Sequence, residues 1–202
     1  MTRVFIELSI FLLVWSYEIL YNCSNKGLYY FVWKFSTLTW ITFNLTILYF
    51  ICCIIGIRRS LKSFLFLASY SLTCVVVLAY WILYSIKPSL VDKFAYESYN
   101  LDFLINLFIH GGNLVILTFH SFSVDDYREL PLKALVCGDT FFISTYLLVQ
   151  KISRLITGMS VYGFLEEMNT LQLIVFNAAL YFIAVAIKII AAQILVKKTK
   201  GQ

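Results

Sequence analysis

Leu101–Phe122 reads LDFLINLFIHGGNLVILTFHSF, and its reading decides the class of this protein. Taken as helix, the stretch is long enough to cross the roughly 30 Å hydrocarbon core of a bilayer. Within it lie His110, the pair Gly111-Gly112, Asn113 and His120, and these are the only two histidines of the 202-residue chain. A span made only to dissolve in lipid has no use for imidazole, so polar chemistry is expected on this helix.

The rest of the composition agrees. Hydrophobic residues make up 61% and charged residues 13%, with a mean hydropathy of +0.84. A soluble domain carries roughly twice that charge. The apolar runs are too long for soluble core helices, so the chain reads as an all-α, multi-pass membrane protein. Tyr17, Tyr21, Tyr29, Tyr30, Trp33, Tyr80, Trp81 and Tyr84 sit near segment ends, as interfacial aromatics do. The net charge of +5 suits cytoplasmic anchoring and not nucleic-acid binding, because no basic run has a soluble domain behind it.

Six spans are expected within a single domain covering residues 1–202. They are about Val4–Tyr21, Leu28–Ile57, Ser63–Ile86, Leu101–Phe122, Leu132–Gln150 and Leu171–Val196. The first lacks a small-residue cleavage site and reads as a retained helix. The loop Lys87–Asn100 holds Pro88 and both charge signs, and the loop Ser121–Pro131 holds Asp125, Asp126 and Glu129. Counting Lys and Arg on the two sides gives nine against six, which puts both termini in the cytoplasm. Lys198 and Lys200 then resemble a dilysine address for the endoplasmic reticulum, with a plain stop-transfer tail as the alternative.

Most remaining polar residues have ordinary readings. Cys23, Cys52, Cys53, Cys74 and Cys137 lack metal-type spacing and read as small hydrophobes, with palmitoylation of Cys52 and Cys53 as an alternative. Glu18, which can also snorkel, and Lys188 read as interfacial or interhelical partners, Asp139 as bonded within the bundle, and Glu166-Glu167 as a solvated loop face, with a re-entrant segment over the site as the alternative. His120 is expected at the membrane edge, in contact with water.

Thr37 and His110 are different. Thr37 lies nine residues after Leu28 and His110 nine after Leu101, so on parallel-running spans both sit roughly 13 Å deep. A hydroxyl beside an imidazole is the minimal arrangement for nucleophilic catalysis. Asn113 shares a face with His110, and Asn44 shares one with Thr37, so both are candidates for orienting the ring or the substrate. The competing reading is interhelical hydrogen-bond glue. No metal or organic cofactor is implied, since a bis-histidine haem needs a second histidine-bearing helix. A transporter is disfavoured by the lack of an inverted repeat.

Four ordered stretches resemble the androgen-induced gene family of multi-pass membrane proteins. Trp33-Lys34-Phe35-Ser36-Thr37 is similar to its Trp-Lys-aromatic-x-Thr motif, and Tyr80–Tyr84 to the aromatic end of its helix three. Leu107–Leu117 resembles its histidine-bearing helix four, and Thr157–Leu165 its Thr-Gly-x-Trp-x-Tyr-Pro loop. The resemblance implies an intramembrane hydrolase of fatty-acid esters of hydroxy fatty acids, with a threonine nucleophile and a histidine base. Thr37 falls on the nucleophile position, with Ser36 and Thr39 of the same polar stripe next in line. The family's helix four carries two histidines three apart, the second catalytic; here His110 matches the first and Asn113 stands at the second. Ser160 replaces the loop tryptophan and Gly163 the loop proline. Either His110 serves as base for a lipid ester drawn from the bilayer, or this member is an inactive lipid-binding or scaffolding relative.

Overall fold

The structure, a computed structural model, describes residues 2–87, 100–123 and 127–200. Most of the Lys87–Asn100 loop and Asp125 and Asp126 lie outside the described residues. The described chain is helical throughout, with no strand. In order come α1 (Thr2–Tyr17), α2 (Ser24–Phe35), α3 (Leu38–Ile54), α4 (Arg59–Ile86), α5 (Asn100–Leu107), α6 (Asn113–Ser121), α7 (Leu132–Thr157), α8 (Phe164–Glu167) and α9 (Thr170–Lys200). Wider π-helical turns join α1 to α2 (Glu18–Cys23) and α5 to α6 (Phe108–Gly112).

Among the described residues five segments are long and apolar enough to cross a membrane: Thr2–Phe35, Arg59–Ile86, Phe103–Ser121, Leu132–Thr157 and Thr170–Lys198. The expected second span is built differently from the continuous helix foreseen. It is broken at Ser36-Thr37, leaving Leu38–Ile54 as a shorter apolar helix. Its start is set by Gly27, whose φ of 82° is open to glycine at no steric cost. There the chain doubles back. Glu18 reaches the Tyr30 hydroxyl at 2.8 Å and the Lys34 ammonium at 3.8 Å, residues that a straight helix would hold about 18 and 24 Å away.

The helix α3 is the centre of the bundle. Phe43, Phe50 and Trp40 are buried, and Phe11 of α1 packs on Phe43 and Phe50 with ring centroids 4.9 and 5.5 Å apart. Asn44 belongs to this joint. It accepts a hydrogen bond from Trp15 Nε1 at 3.1 Å and donates to the Trp40 carbonyl at 2.7 Å, tying α1 to α3.

Four buried titratable groups are paired inside the bundle: Glu18, Asp139 and Lys188 as interhelical partners, and His120 where the sequence suggested water. Glu18 is 1% exposed and also accepts from Asn22 at 3.0 Å. His120 is buried, with Nδ1 2.6 Å from Glu7 and Nε2 2.8 Å from the Tyr49 hydroxyl, so it does not sit at a wet edge. The reason is the antiparallel packing of α1 on α3, which brings Glu7 to the end of α6. Lys188 of α9 is bonded to Asp139 of α7, both fully enclosed, and the second Asp139 oxygen has no hydrogen-bond partner.

That last pair makes a prediction. Lys188→Met strands a buried carboxylate and is expected to cost about 3–5 kcal/mol, whereas Lys188→Met with Asp139→Leu recovers most of the loss. Thermal denaturation in detergent micelles measures both variants.

Candidate active site

The break at Ser36-Thr37 leaves the N-terminus of α3 with unsatisfied amides. Thr37 answers it. Its backbone is extended (φ −70°, ψ 146°), and its Oγ1 accepts from the Trp40 amide at 3.2 Å, as an N-cap threonine does. The same hydroxyl donates to the Lys34 carbonyl at 2.8 Å. The Leu38 amide donates to the Tyr162 hydroxyl at 3.2 Å, so a residue from the α7–α9 connection also caps this end.

Thr39, one position inside the helix, points its hydroxyl elsewhere. Thr39 Oγ1 lies 3.2 Å from His110 Nε2, and both residues are buried. The other imidazole nitrogen, Nδ1, lies 2.9 Å from the Asn106 carbonyl. A carbonyl can only accept, so this contact assigns the proton to Nδ1. If the ring is neutral, Nε2 carries the lone pair and the Thr39 hydroxyl is placed to donate to it.

Ring orientation is fixed from two further sides. Tyr80 lies flat on the imidazole, centroids 3.5 Å apart and planes 16° apart. Trp81 Nε1 donates to the His110 carbonyl at 2.8 Å, and Asn106 Nδ2 donates to the Tyr80 hydroxyl. Thr37, Thr39, His110, Lys34, Tyr80 and Tyr162 line one cavity of about 20 Å³, room for a single water. An adjoining apolar cavity of about 40 Å³ shares Thr39, Tyr80 and Tyr162 and extends to Leu83, Phe176 and Leu180.

The depth match between Thr37 and His110 therefore has a structural counterpart in a shared cavity, but the hydroxyl in contact with the imidazole is that of Thr39. Asn113 points away. Its Nδ2 lies 3.4 Å from Thr73 of α4, and its Oδ1 is buried without a partner. The physical reason is the π-helical turn, in which the Asn113 amide bonds five residues back to Phe108. That wider turn rotates Asn113 off the face of His110 and voids the i, i+3 argument. Asn44 lies outside the cavity, in the α1–α3 joint. Asn106, Tyr80 and Tyr162 were not singled out as site residues from the sequence, whereas Thr39 stood with Ser36 next in line after Thr37 as nucleophile, in the same polar stripe. Among the described residues no cluster of three His, Cys, Asp or Glu side chains could hold a metal ion.

A family model described as FAR-17a/AIG1-like protein matches residues 3–195, nearly the whole chain. The chain belongs to the FAR-17a/AIG1-like family, the androgen-induced gene 1 family. No curated protein and no solved structure matches it. Membership covers both halves of the site, since the matched segment contains Thr37, Thr39 and His110.

The two glycines after His110 differ in what they tolerate. A Cβ on Gly111 would meet nothing nearer than Trp81 Nε1 at 4.0 Å, whereas one on Gly112 would lie 2.6 Å from the Phe108 ring. Gly112 thus makes room for an aromatic ring of its own helix. Gly111→Ala is expected to shift stability by less than about 0.5 kcal/mol. Gly112→Ala should cost about 1–3 kcal/mol by displacing Phe108 from Phe11 and Phe43. Thermal melting of the two variants side by side separates these outcomes.

Proposed function

We propose that this protein is an intramembrane lipid-ester hydrolase in which a threonine of the α3 N-terminus is the nucleophile and His110 is the base. The observation that carries the reading is the pair of His110 hydrogen bonds: Nδ1 tied to a carbonyl and Nε2 facing a threonine hydroxyl at 3.2 Å. In the proposed reaction Nε2 takes the hydroxyl proton as Oγ1 bonds to the ester carbonyl carbon. The tetrahedral intermediate collapses, the alcohol leaves with the proton returned by His110, and an acyl-threonine remains. Water, deprotonated by the same Nε2, then releases the fatty acid and restores the threonine.

Two threonines compete for the nucleophile. Thr37 holds the position that the family resemblance implies, and Thr39 holds the contact. Geometry favours Thr39, because Thr37 already donates its proton to the Lys34 carbonyl and caps a helix. Lys34 and Tyr162, which line the same cavity, are the donors within reach of a developing oxyanion. The apolar cavity of about 40 Å³ that shares Thr39 and Tyr80 has room for a methylene or two, so an acyl chain from the bilayer enters only if Leu83, Phe176 and Leu180 move aside. Asn113 and Asn44 keep their hydrogen-bonding roles in this scheme and hold helices, not substrate. The same proposal includes six membrane passages with both ends of the chain cytoplasmic, supported by the reversal at Gly27 and the basic-residue bias.

A second reading, a lipid-binding relative without catalysis, has one observation in its favour: the cavity at His110 holds about one water and no ester. Hydrolysis of a fatty-acid ester of a hydroxy fatty acid by protein in lipid nanodiscs decides between them. His110→Gln and Thr39→Val are each expected to lose at least about 10²-fold in turnover, with Thr37→Val losing less and melting earlier. No turnover by well-folded wild type would leave the lipid-binding reading. Full loss in Thr37→Val with activity kept in Thr39→Val would move the nucleophile to Thr37.

A further inference from the structure

Away from the Thr39–His110 site, α4, α6 and α9 enclose an open groove of about 360 Å³ that shares no lining residue with it. On α4 the lining falls on Phe66, Tyr70, Cys74 and Leu78, a stripe with a four-residue step. Such a stripe is about 18 Å long, close to half of a hydrocarbon core of roughly 30 Å and so to one leaflet's acyl chain. On α9 the wall continues through Ala191 to Leu195. Apart from Tyr70, Cys74 and Ser121, the lining has no polar side chain.

Both stripes run into a lysine at the same end. Lys62 precedes Phe66 by four residues on α4, and Lys198 follows Leu195 by three on α9, so each is on the groove face of its helix. The three helix ends meet there. Lys198 Nζ is bonded to the carbonyls of Ser121 (3.3 Å) and Phe122 (2.6 Å) at the end of α6. Phe66 packs near the His120 ring, centroids 6.2 Å apart, which brings the start of α4 to the same level. Lys62 and Lys198 are both half-buried.

We infer that this groove is a binding site for an anionic glycerophospholipid of the surrounding leaflet, one acyl chain lying along α4 and the phosphate end held between Lys62 and Lys198. Lipid tails are as apolar as the groove, so burial alone gives no preference for entering it. A concave wall adds contacts on three sides, which an outward helix face cannot offer a chain. Selection among lipids then falls to the headgroup. Two ammonium groups at one end favour a lipid of net negative charge over a zwitterionic one, by several-fold for each lysine.

The test uses the full chain in phosphatidylcholine nanodiscs with trace phosphatidylserine or phosphatidylcholine bearing a photoactivatable diazirine in one acyl chain. Mass spectrometry maps the cross-linked residues. The phosphatidylserine probe is expected to label residues 66–78 and 187–195 about fivefold more than the phosphatidylcholine probe. Ala191→Phe, which fills the groove, should bring that labelling down to the level of other lipid-facing helices. Lys62→Gln with Lys198→Gln should abolish the preference between probes while leaving the acyl labelling in place. Equal labelling by the two probes in wild type, or labelling spread evenly over the outward faces, overturns the inference. Because the double lysine variant leaves the groove walls intact, the proposal stands or falls even if Ala191→Phe does not fold.

Discussion

One imidazole, bonded on both nitrogens, organises the middle of this molecule. The Asn106 carbonyl holds Nδ1 of His110 and thereby dictates which nitrogen faces α3. Everything around it serves that orientation. Tyr80 covers the ring face, Trp81 holds the backbone carbonyl, and the π-helical turn of Phe108–Gly112 sets His110 toward α3 while sending Asn113 to α4. A wide turn of this kind is uncommon inside a helix and often marks a functional position. The hydrogen bond from Thr39 closes the arrangement, and it exists only because α3 starts where it does.

That start is a second constraint, imposed by the break between α2 and α3 at Ser36-Thr37. The first amides of a helix that begins inside a bundle need caps of their own. Thr37 and the Tyr162 hydroxyl supply them, one locally and one from the far side of the chain. The cap also explains why two nearby threonine hydroxyls differ so much. Thr37 is committed to backbone, and Thr39 is turned to the imidazole. Elsewhere the bundle meets the same demand with enclosed polar groups: Glu18 with Tyr30, Glu7 with His120 and Tyr49, and Lys188 with Asp139.

Much of this was legible in the residues, and the failures have physical causes. Runs of apolar residues identify a helical membrane protein because the bilayer admits few other solutions. Thr37 and His110, paired by counting from Leu28 and Leu101, do line one cavity, although the count assumed a helix unbroken at Ser36-Thr37. Rotation about the helix axis was not legible. The π turn upset the face shared by His110 and Asn113, and the break at Ser36-Thr37 exchanged Thr37 for Thr39 at the imidazole. His120 was misjudged because its place in the sequence gives distance along one helix and says nothing of Glu7, 113 residues earlier. Family membership agrees with the motif order but leaves the chemistry to be measured.

The proposed chemistry requires His110 to be a neutral imidazole presenting a bare Nε2 to Thr39. Nitrogen-15 NMR of histidine-labelled protein in nanodiscs reads this directly, with His110→Gln assigning the signal. A neutral ring protonated at Nδ1 is expected, with the Nε2 resonance shifting in Thr39→Val as its donor is lost. An imidazolium at neutral pH, a proton on Nε2, or a resonance indifferent to Thr39→Val would contradict it.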